Sequence, residues 1–390
     1  MQEQISKIML ALLRAEICGE SVENIDKEVL TEDGLKALLA LSNKHDVAHL
    51  IAHTLIKNNL IDKKSELFSK YYLKEITAVV RHEKNEFALK ELCNALETEG
   101  RDYVALKGAV IKWLYPEPWM RTSCDIDVLV EEENVEKLAR TLTRKYGYEQ
   151  LSNATTHDIS LSTPNGVHLE LHFSLTQSGS LPKTDRILKS VWNYAYTVEG
   201  YNHKCELDPE MIVFYHVAHM AKHFLNGGCG VKPFLDLYLI KKNMPYPEDK
   251  LVKLLKSGKL IDFYNQVLGL IGVWFKNNRH TEITKQMENY VLTGGVYGTV
   301  KNAAIVKAGK GKSKAKTFFE LMFISRRNLE VLYPNLKNHR WMYPLYQVRR
   351  WFKIFNKKSR QNVKSQIAAR NSVTAQEKEA VNNLLKNLGI

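Results

Sequence analysis

The chain is poor in cysteine, has no long apolar run, and lacks acids over long stretches near its C-terminus. Its five cysteines, Cys18, Cys93, Cys124, Cys205 and Cys229, are odd in number, widely spaced and never arranged as Cys-x-x-Cys. That argues against a disulfide framework or a zinc ribbon and points to free thiols in a reducing compartment. The longest apolar stretch lies near Val267 to Phe275, well short of the about 20 residues that a bilayer span needs. The N-terminal MQEQISKIMLALLRAE carries Glu3 and is apolar in helical steps, not as a continuous core with a small-residue cleavage site. The expected location is cytoplasmic.

Acids are missing from two basic stretches. Residues 289–319 hold six lysines and no Asp or Glu, and within them residues 307–316 alternate Lys with Gly, Ala and Ser, the composition of a mobile loop. Residues 331–375 hold ten Lys and Arg and again no acid, interleaved with Trp341, Tyr343, Tyr346, Trp351 and Phe352. Together they outweigh the net charge of +13, so the rest of the chain is slightly acidic and the basicity is local. Such a stretch suits phosphate contacts to RNA with aromatic stacking; the alternative is a solvated helical face.

A chain of 390 residues, 44% hydrophobic, is long enough for two or three domains with a sizeable core. Three regions are expected: a helical one over 1–100, a core of alternating strands and helices over 101–200, and a helical one with a basic tail over 201–390. Ile5, Ile8, Met9, Leu12 and Leu13 recur at helical spacing, and Leu35, Leu38, Leu39 and Leu41 follow the start signal Thr31-Glu32-Asp33. A longer helical pattern runs from Ser65 to Glu99. In the middle region the expected elements are a strand near Tyr103, a helix from Ala109, a strand over 125–130, a helix over 134–146, and strands over 157–162 and 168–173 joined by the turn Pro164-Asn165-Gly166. The class is α+β, a small mixed sheet with helices to one side. Past Pro209 the pattern is helical, broken at 227–230, 244–247 and 294–295.

The chemistry concentrates in ALKGAVIKWLYPEPWMRTSCDIDVLV, residues 105–130. Side chains alternate across a strand, so Asp125 and Asp127 share one face while Ile126 and Val128 face the core. Two carboxylates on one face suit Mg²⁺, which takes a few protein oxygens together with substrate phosphate oxygens. Upstream, Gly108 is placed to turn tightly and open a helix whose first N–H groups can meet a phosphate. Val167 to Phe173 alternates strictly, with His168, Glu170 and His172 on the polar face. Glu170 is a candidate third carboxylate, as a metal ligand or as general base on an acceptor hydroxyl, and His172 is the alternative residue facing the site. Lys107 and Arg121 are candidates to neutralise a triphosphate.

This ordered set resembles the DNA polymerase β-type nucleotidyltransferase superfamily. More narrowly, LKG followed by RTSCDIDVLV, then GYE at 147–149, LELHFSL, and His219-x-x-x-His223 with the later Asp236-Leu237 resemble uncharacterised bacterial nucleotidyltransferases, over roughly residues 35–240. The resemblance implies a Mg²⁺ (or Mn²⁺) site at Asp125, Asp127 and Glu170. It implies NTP binding by Lys107, Gly108, Ala109 and Arg121, with His172, His219 and His223 lining the cleft. Gly108-Ala109 departs from the superfamily's usual Gly-Ser or Gly-Gly, so a hydroxyl that often touches phosphate is missing and Ala109 is left with its backbone N–H. His216, His219 and His223 share one helix face, and packed or hydrogen-bonded histidines are favoured over zinc because no further ligand motif completes a tetrahedral set.

The expected function is transfer of a nucleoside monophosphate from an NTP such as ATP to an acceptor hydroxyl with release of pyrophosphate, the acceptor being a small molecule, a protein side chain or RNA. Two rivals stand beside it. An Asp-x-Asp glycosyltransferase would place a long nucleoside-binding βαβ region before the motif, whereas here a Gly turn lies only 17 residues upstream. A non-catalytic nucleotide- or RNA-binding module would treat the carboxylates as relics.

Overall fold

Thr31 and Ser65 begin two helices by the same device: each side-chain oxygen accepts a hydrogen bond from the backbone N–H three residues on, Gly34 N at 3.2 Å and Phe68 N at 3.1 Å. The computed structural model describes residues 2–131, 135–176, 180–296, 340–354 and 374–390, with isolated residues between 302 and 339. The N-terminal helices are α1 (Gln2–Cys18), α2 (Glu32–Lys44), α3 (Ala48–Lys57) and α4 (Glu66–Thr98). At 33 residues, α4 is about 50 Å long.

The middle of the chain supplies β1 (Tyr103–Ala105), α5 (Gly108–Ile111), β2 (Asp125–Val130), α6 (Val135–Tyr146), β3 (Glu149–Gln150), β4 (Asp158–Ser162) and β5 (His168–His172). After them come α7 (Pro182–Leu188), β6 (Ala195–Thr197) and β7 (Lys204–Leu207). The β4–β5 hairpin closes where Pro164-Asn165-Gly166 predicts it, with Gly166 at φ 74°. The strands form one seven-stranded mixed sheet in the order β3-β4-β5-β2-β1-β7-β6, with β2–β5 and β1–β7 parallel. The α+β class holds, and β2 lies in the middle of the sheet.

Helices cover both faces of the sheet rather than the one side expected. On one face Ile126, Val128, Leu169 and Leu171 pack with Leu92 and Leu96 of α4 and Leu138 and Leu142 of α6. On the other, Val104, Leu129 and Leu207 join a larger core built by helices from both ends of the chain. Its C-terminal contributors are α8 (Pro209–Leu225), α9 (Lys232–Asn243), α10 (Glu248–Gly258), α11 (Ile261–Lys276) and α12 (Glu282–Gly294). Within this core Met9, Leu12 and Leu13 of α1 are buried together with Phe224, Phe263 and Trp274, and Arg14 Nη1 reaches Asn277 Oδ1 at 3.0 Å. Two helix ends that composition did not signal, at Lys259 and Asn277, are made by left-handed residues.

Two further helices are α13 (Tyr343–Ile354) and α14 (Ala375–Asn387). The Lys-rich stretch 307–316 and most of 331–375 lie outside the described residues. Among those described, no helix is long and apolar enough to cross a membrane.

Candidate active site

Parallel pairing of β2 with β5 sets Asp125 opposite His168, Asp127 opposite Glu170 and Leu129 opposite His172. Because side chains alternate, the two carboxylates of β2 and the three polar residues of β5 share one face of the sheet. Their ligand atoms gather in two groups that share Glu170: Asp125, His168 and Glu170, and Asp127, Glu170 and His172. Within each group all atoms lie within 4.8 Å of one another.

The two aspartates are not equivalent. Asp127, 5% exposed, accepts at one oxygen, Oδ1, from Lys107 Nζ at 2.7 Å and from His172 Nε2 at 2.8 Å. Burial alone would raise its pKa, but the Lys107 charge and the His172 hydrogen bond outweigh burial and hold it well below the usual carboxylate range. Asp125 has no hydrogen-bond partner among the described residues, and burial with the neighbouring Asp127 carboxylate pushes its pKa up. Glu170 is shifted down, chiefly by the His172 hydrogen bond. His172 is shifted up: burial opposes its charge, but hydrogen bonds to Asp127 and Glu170 prevail. Its Nδ1 is buried without a partner. Glu170 and His172, weighed above as alternatives, both face the site.

The Gly turn is built differently from the expectation. The residue with positive φ is Lys107, at φ 47° and ψ −117°, and not Gly108. A non-glycine residue there carries about 1–3 kcal/mol of strain, and the Lys107–Asp127 ion pair spans that turn. Gly108 is instead in close approach: a β-carbon on it would overlap Ser123 Oγ, a hydroxyl that can rotate away, and would stand 3.4 Å from Ser123 Cβ. The helix it opens, α5, is a single turn that tightens into a 3₁₀ segment over Lys112–Leu114. The Ala109 N–H, expected to face a phosphate, donates to Leu106 O at 3.1 Å.

Arg121 is held from below. Its Nε and Nη2 bind Asp236 Oδ1 and Oδ2 at 2.7 and 2.9 Å, and its Nη1 donates to Thr122 O at 2.7 Å. Tyr115 OH adds a third bond to Asp236 Oδ1 at 2.7 Å. Lys232, paired with Asp46, also reaches Thr122 O at 3.1 Å, and Asn85 of α4 donates to Ser123 O at 3.2 Å. Residues 121–123, which lead into Asp125, are thus fixed by side chains from α4 and α9, with Lys232 of α9 itself paired to Asp46. Arg121 braces this segment; its fork is filled by a carboxylate.

Two clefts flank the carboxylates. One, narrow and of only about 30 Å³, lies between Arg81 and Asn85 of α4, the Gly108 turn, Ser123 and Asp125. The other, also of about 30 Å³, is lined by Leu188, Tyr215, His219 and Lys222. His216 Nε2 meets Pro233 O at 2.8 Å, and the His219 and His223 Nε2 atoms are 3.3 Å apart. Burial, then the Lys107 charge, shifts the His219 pKa far down, and burial with the Lys222 charge brings His223 to about 4. None of the three belongs to a candidate metal group among the described residues. Lys222 went unnoticed in the sequence; it falls three residues after His219 on the same helix, which was the available signal. Burial and the Lys107 charge lower its pKa to about 8.

An α+β fold whose central strands present clustered carboxylates beside a lysine-bearing turn is the build of a nucleotidyl-transferring enzyme. The model of the family described as "Uncharacterised nucleotidyltransferase" matches residues 31–276, more than half of the chain, and the protein belongs to that family. No curated protein and no solved structure matches the chain.

Proposed function

We propose that the protein moves a nucleoside monophosphate from an NTP, such as ATP, to an acceptor hydroxyl, in a reaction that depends on Mg²⁺ or Mn²⁺. The observation that carries this reading is the β2–β5 register, which brings Asp125, Asp127 and Glu170 onto one face beside two imidazoles. That donor set fits a divalent cation: Glu170 meets Asp125 in one group and Asp127 in the other, each with an imidazole, and Asp125 has no hydrogen-bond partner among the described residues.

When bound, the cation supplies neutralisation of the triphosphate charge. Asp125 and Asp127 would hold it, and Glu170 would either share it or take the proton of the acceptor hydroxyl. The acceptor oxygen bonds to the α-phosphorus while the bond from that phosphorus to the bridging oxygen breaks, and the electron pair leaves with pyrophosphate. Lys107 and Lys222 place positive charge beside the carboxylates, where the phosphates sit. Ser123 Oγ, against Gly108, supplies the hydroxyl that Ala109 lacks. His219 lines the second cleft as a neutral ring, with His223 against it.

The test is transfer of α-phosphate label from each of the four NTPs to components of a cell extract, with and without Mg²⁺ or Mn²⁺. Metal-dependent labelling with pyrophosphate release is expected; no labelling from any NTP in either metal would end this reading.

The basic C-terminal stretch supports RNA as a partner. In its described part Arg349 lies over the rings of Tyr333 and Tyr346, 5.7 Å from each centroid, and Trp341 is 74% exposed. RNA affinity should fall with salt in proportion to the phosphates neutralised. Arg349→Gln with Arg350→Gln should flatten that slope, and an unchanged slope returns the stretch to a solvated face.

A further inference from the structure

The carboxylate cluster has a nitrogen donor that the nucleotidyltransferase reading does not use. His168 stands directly opposite Asp125 in the β2–β5 ladder, and its ring nitrogen, the Asp125 carboxylate and the Glu170 carboxylate lie within 4.8 Å of one another. The second group contains His172, but its approach is crowded. His172 Nε2 is 2.8 Å from Asp127 Oδ1 and 3.5 Å from Glu170 Oε2, and Lys107 Nζ shares the same Asp127 oxygen. Two cationic or hydrogen-bonding groups therefore already serve Asp127. Asp125 has none among the described residues, and His168 is half-buried beside it, next to the cleft that Asp125 lines.

We propose that His168 is a metal ligand, completing with Asp125 and Glu170 a mixed oxygen–nitrogen site that prefers a first-row transition ion such as Mn²⁺ to Mg²⁺. The inference rests on the metal site of the proposed function and adds its selectivity. Mg²⁺ takes oxygen ligands in a strict octahedron and gains little from an imidazole. First-row transition ions accept imidazole more readily than Mg²⁺ does, Mn²⁺ least among them, so the margin for Mn²⁺ is the smallest the series would give. A site with two carboxylates and one imidazole, leaving room for phosphate oxygens, thus discriminates by ligand type and not by size.

The test uses the full chain, freed of metal, and reads binding directly. Free Mn²⁺ is followed by electron paramagnetic resonance during titration, with Mg²⁺ as competitor, and ¹⁴N coupling to bound Mn²⁺ is measured by pulsed methods. Wild type is expected to show ¹⁴N coupling and to bind Mn²⁺ at least about tenfold more tightly than Mg²⁺. His168→Ala should lose that coupling and weaken Mn²⁺ binding by about tenfold or more, equivalent to about 1.4 kcal/mol, while Mg²⁺ binding changes little. His172→Ala should keep the coupling. Loss of coupling in His172→Ala with retention in His168→Ala would overturn the proposal, as would equal losses of Mn²⁺ and Mg²⁺ affinity in His168→Ala. Mn²⁺ bound through His168 without transfer from any NTP leaves this inference standing and removes the proposed reaction. Transfer that proceeds equally in both metals and ignores His168→Ala does the reverse.

Discussion

Ser123 Oγ occupies the space into which a β-carbon on Gly108 would project. The glycine is therefore set by a close approach between the turn after β1 and the segment that enters β2, two residues before Asp125. Lys107, its neighbour, carries the unusual backbone conformation.

Gly108→Ala is expected to turn the Ser123 hydroxyl away from its place beside the turn. Overpacking costs at most about 1–3 kcal/mol, and rotation of the hydroxyl keeps this one toward the low end, so nucleotidyl transfer should fall further than stability. Combining it with Ser123→Gly removes the overlapping oxygen and should restore much of the melting temperature. Melting and turnover of the two single variants and the double variant decide this, and a fully stable, fully active Gly108→Ala contradicts it.

The carboxylates should separate by function. Asp125→Asn and Asp127→Asn are each expected to lower transfer by about three orders of magnitude, about 4 kcal/mol of barrier. Asp127→Asn should also shift stability, because it takes the counter-charge from Lys107 and an acceptor from His172, whereas Asp125→Asn should leave the fold untouched. Glu170→Gln should retain NTP binding and lose transfer. Turnover, NTP affinity and denaturant midpoints measured together check the pattern; full activity in Asp127→Asn refutes the assignment.

Lys222 introduces a pH dependence. With its pKa lowered to about 8 by burial and Lys107, it is charged at neutral pH and loses the charge as pH rises through about 8. NTP affinity is expected to weaken over that interval in wild type. Lys222→Gln should be weak at every pH, and Lys222→Arg, which keeps its charge, should stay flat. The stability effect has the opposite sign: burial penalises the charged amine in the fold, so the protein gains stability between about 8 and the ordinary lysine value of 10.5. Affinities of wild type and both variants from pH 6.5 to 9.5 are the measurement.

The Arg121–Asp236 pair should matter for the fold first. Asp236→Asn strands a buried guanidinium, and breaking such a pair costs about 3–5 kcal/mol. Burial opposes the Asp236 charge, but Arg121 outweighs it and the carboxyl is depressed below its usual 3.8. Its stabilisation is thus fully present above that value and is lost as pH falls below it toward the depressed pKa. Denaturant unfolding of wild type and Asp236→Asn from pH 7 to 3 should show a gap that narrows only at the acid end.

What could be read from the sequence followed the local signals. DIDVLV runs as a strand over the expected residues because its apolar and acidic positions alternate at the start and its β-branched residues continue it. The hairpin turn and the helix start at Thr31 were legible from equally local signals, and the helical pattern from Ser65 was read without its cap. Strands β6 and β7 were not: AYT and KCEL are too short to show a period and take their place from pairing with each other and with β1. At the site, acids on alternate positions could be found, but Asp236 lies 115 residues from Arg121, and no pattern along the chain announces that Arg121 is already engaged. The contact that fixes Gly108 is likewise invisible, since Ser123 reaches it only after β1 and β2 have paired.

The core shared by helices from both ends sets a timetable for the nascent chain. α1 leaves the ribosome about 250 residues ahead of the segment containing Phe263 and Trp274, against whose core it is buried; at about 5–20 residues per second that interval is some tens of seconds. Over that time Met9, Leu12 and Leu13 have α2, α3 and the turn at Val22–Asn24 to cover them, and β2 is made before the helices that wall in its Asp face. Protease protection of α1 in ribosome-arrested chains should therefore rise late, when α11 has emerged, and not when the sheet is complete.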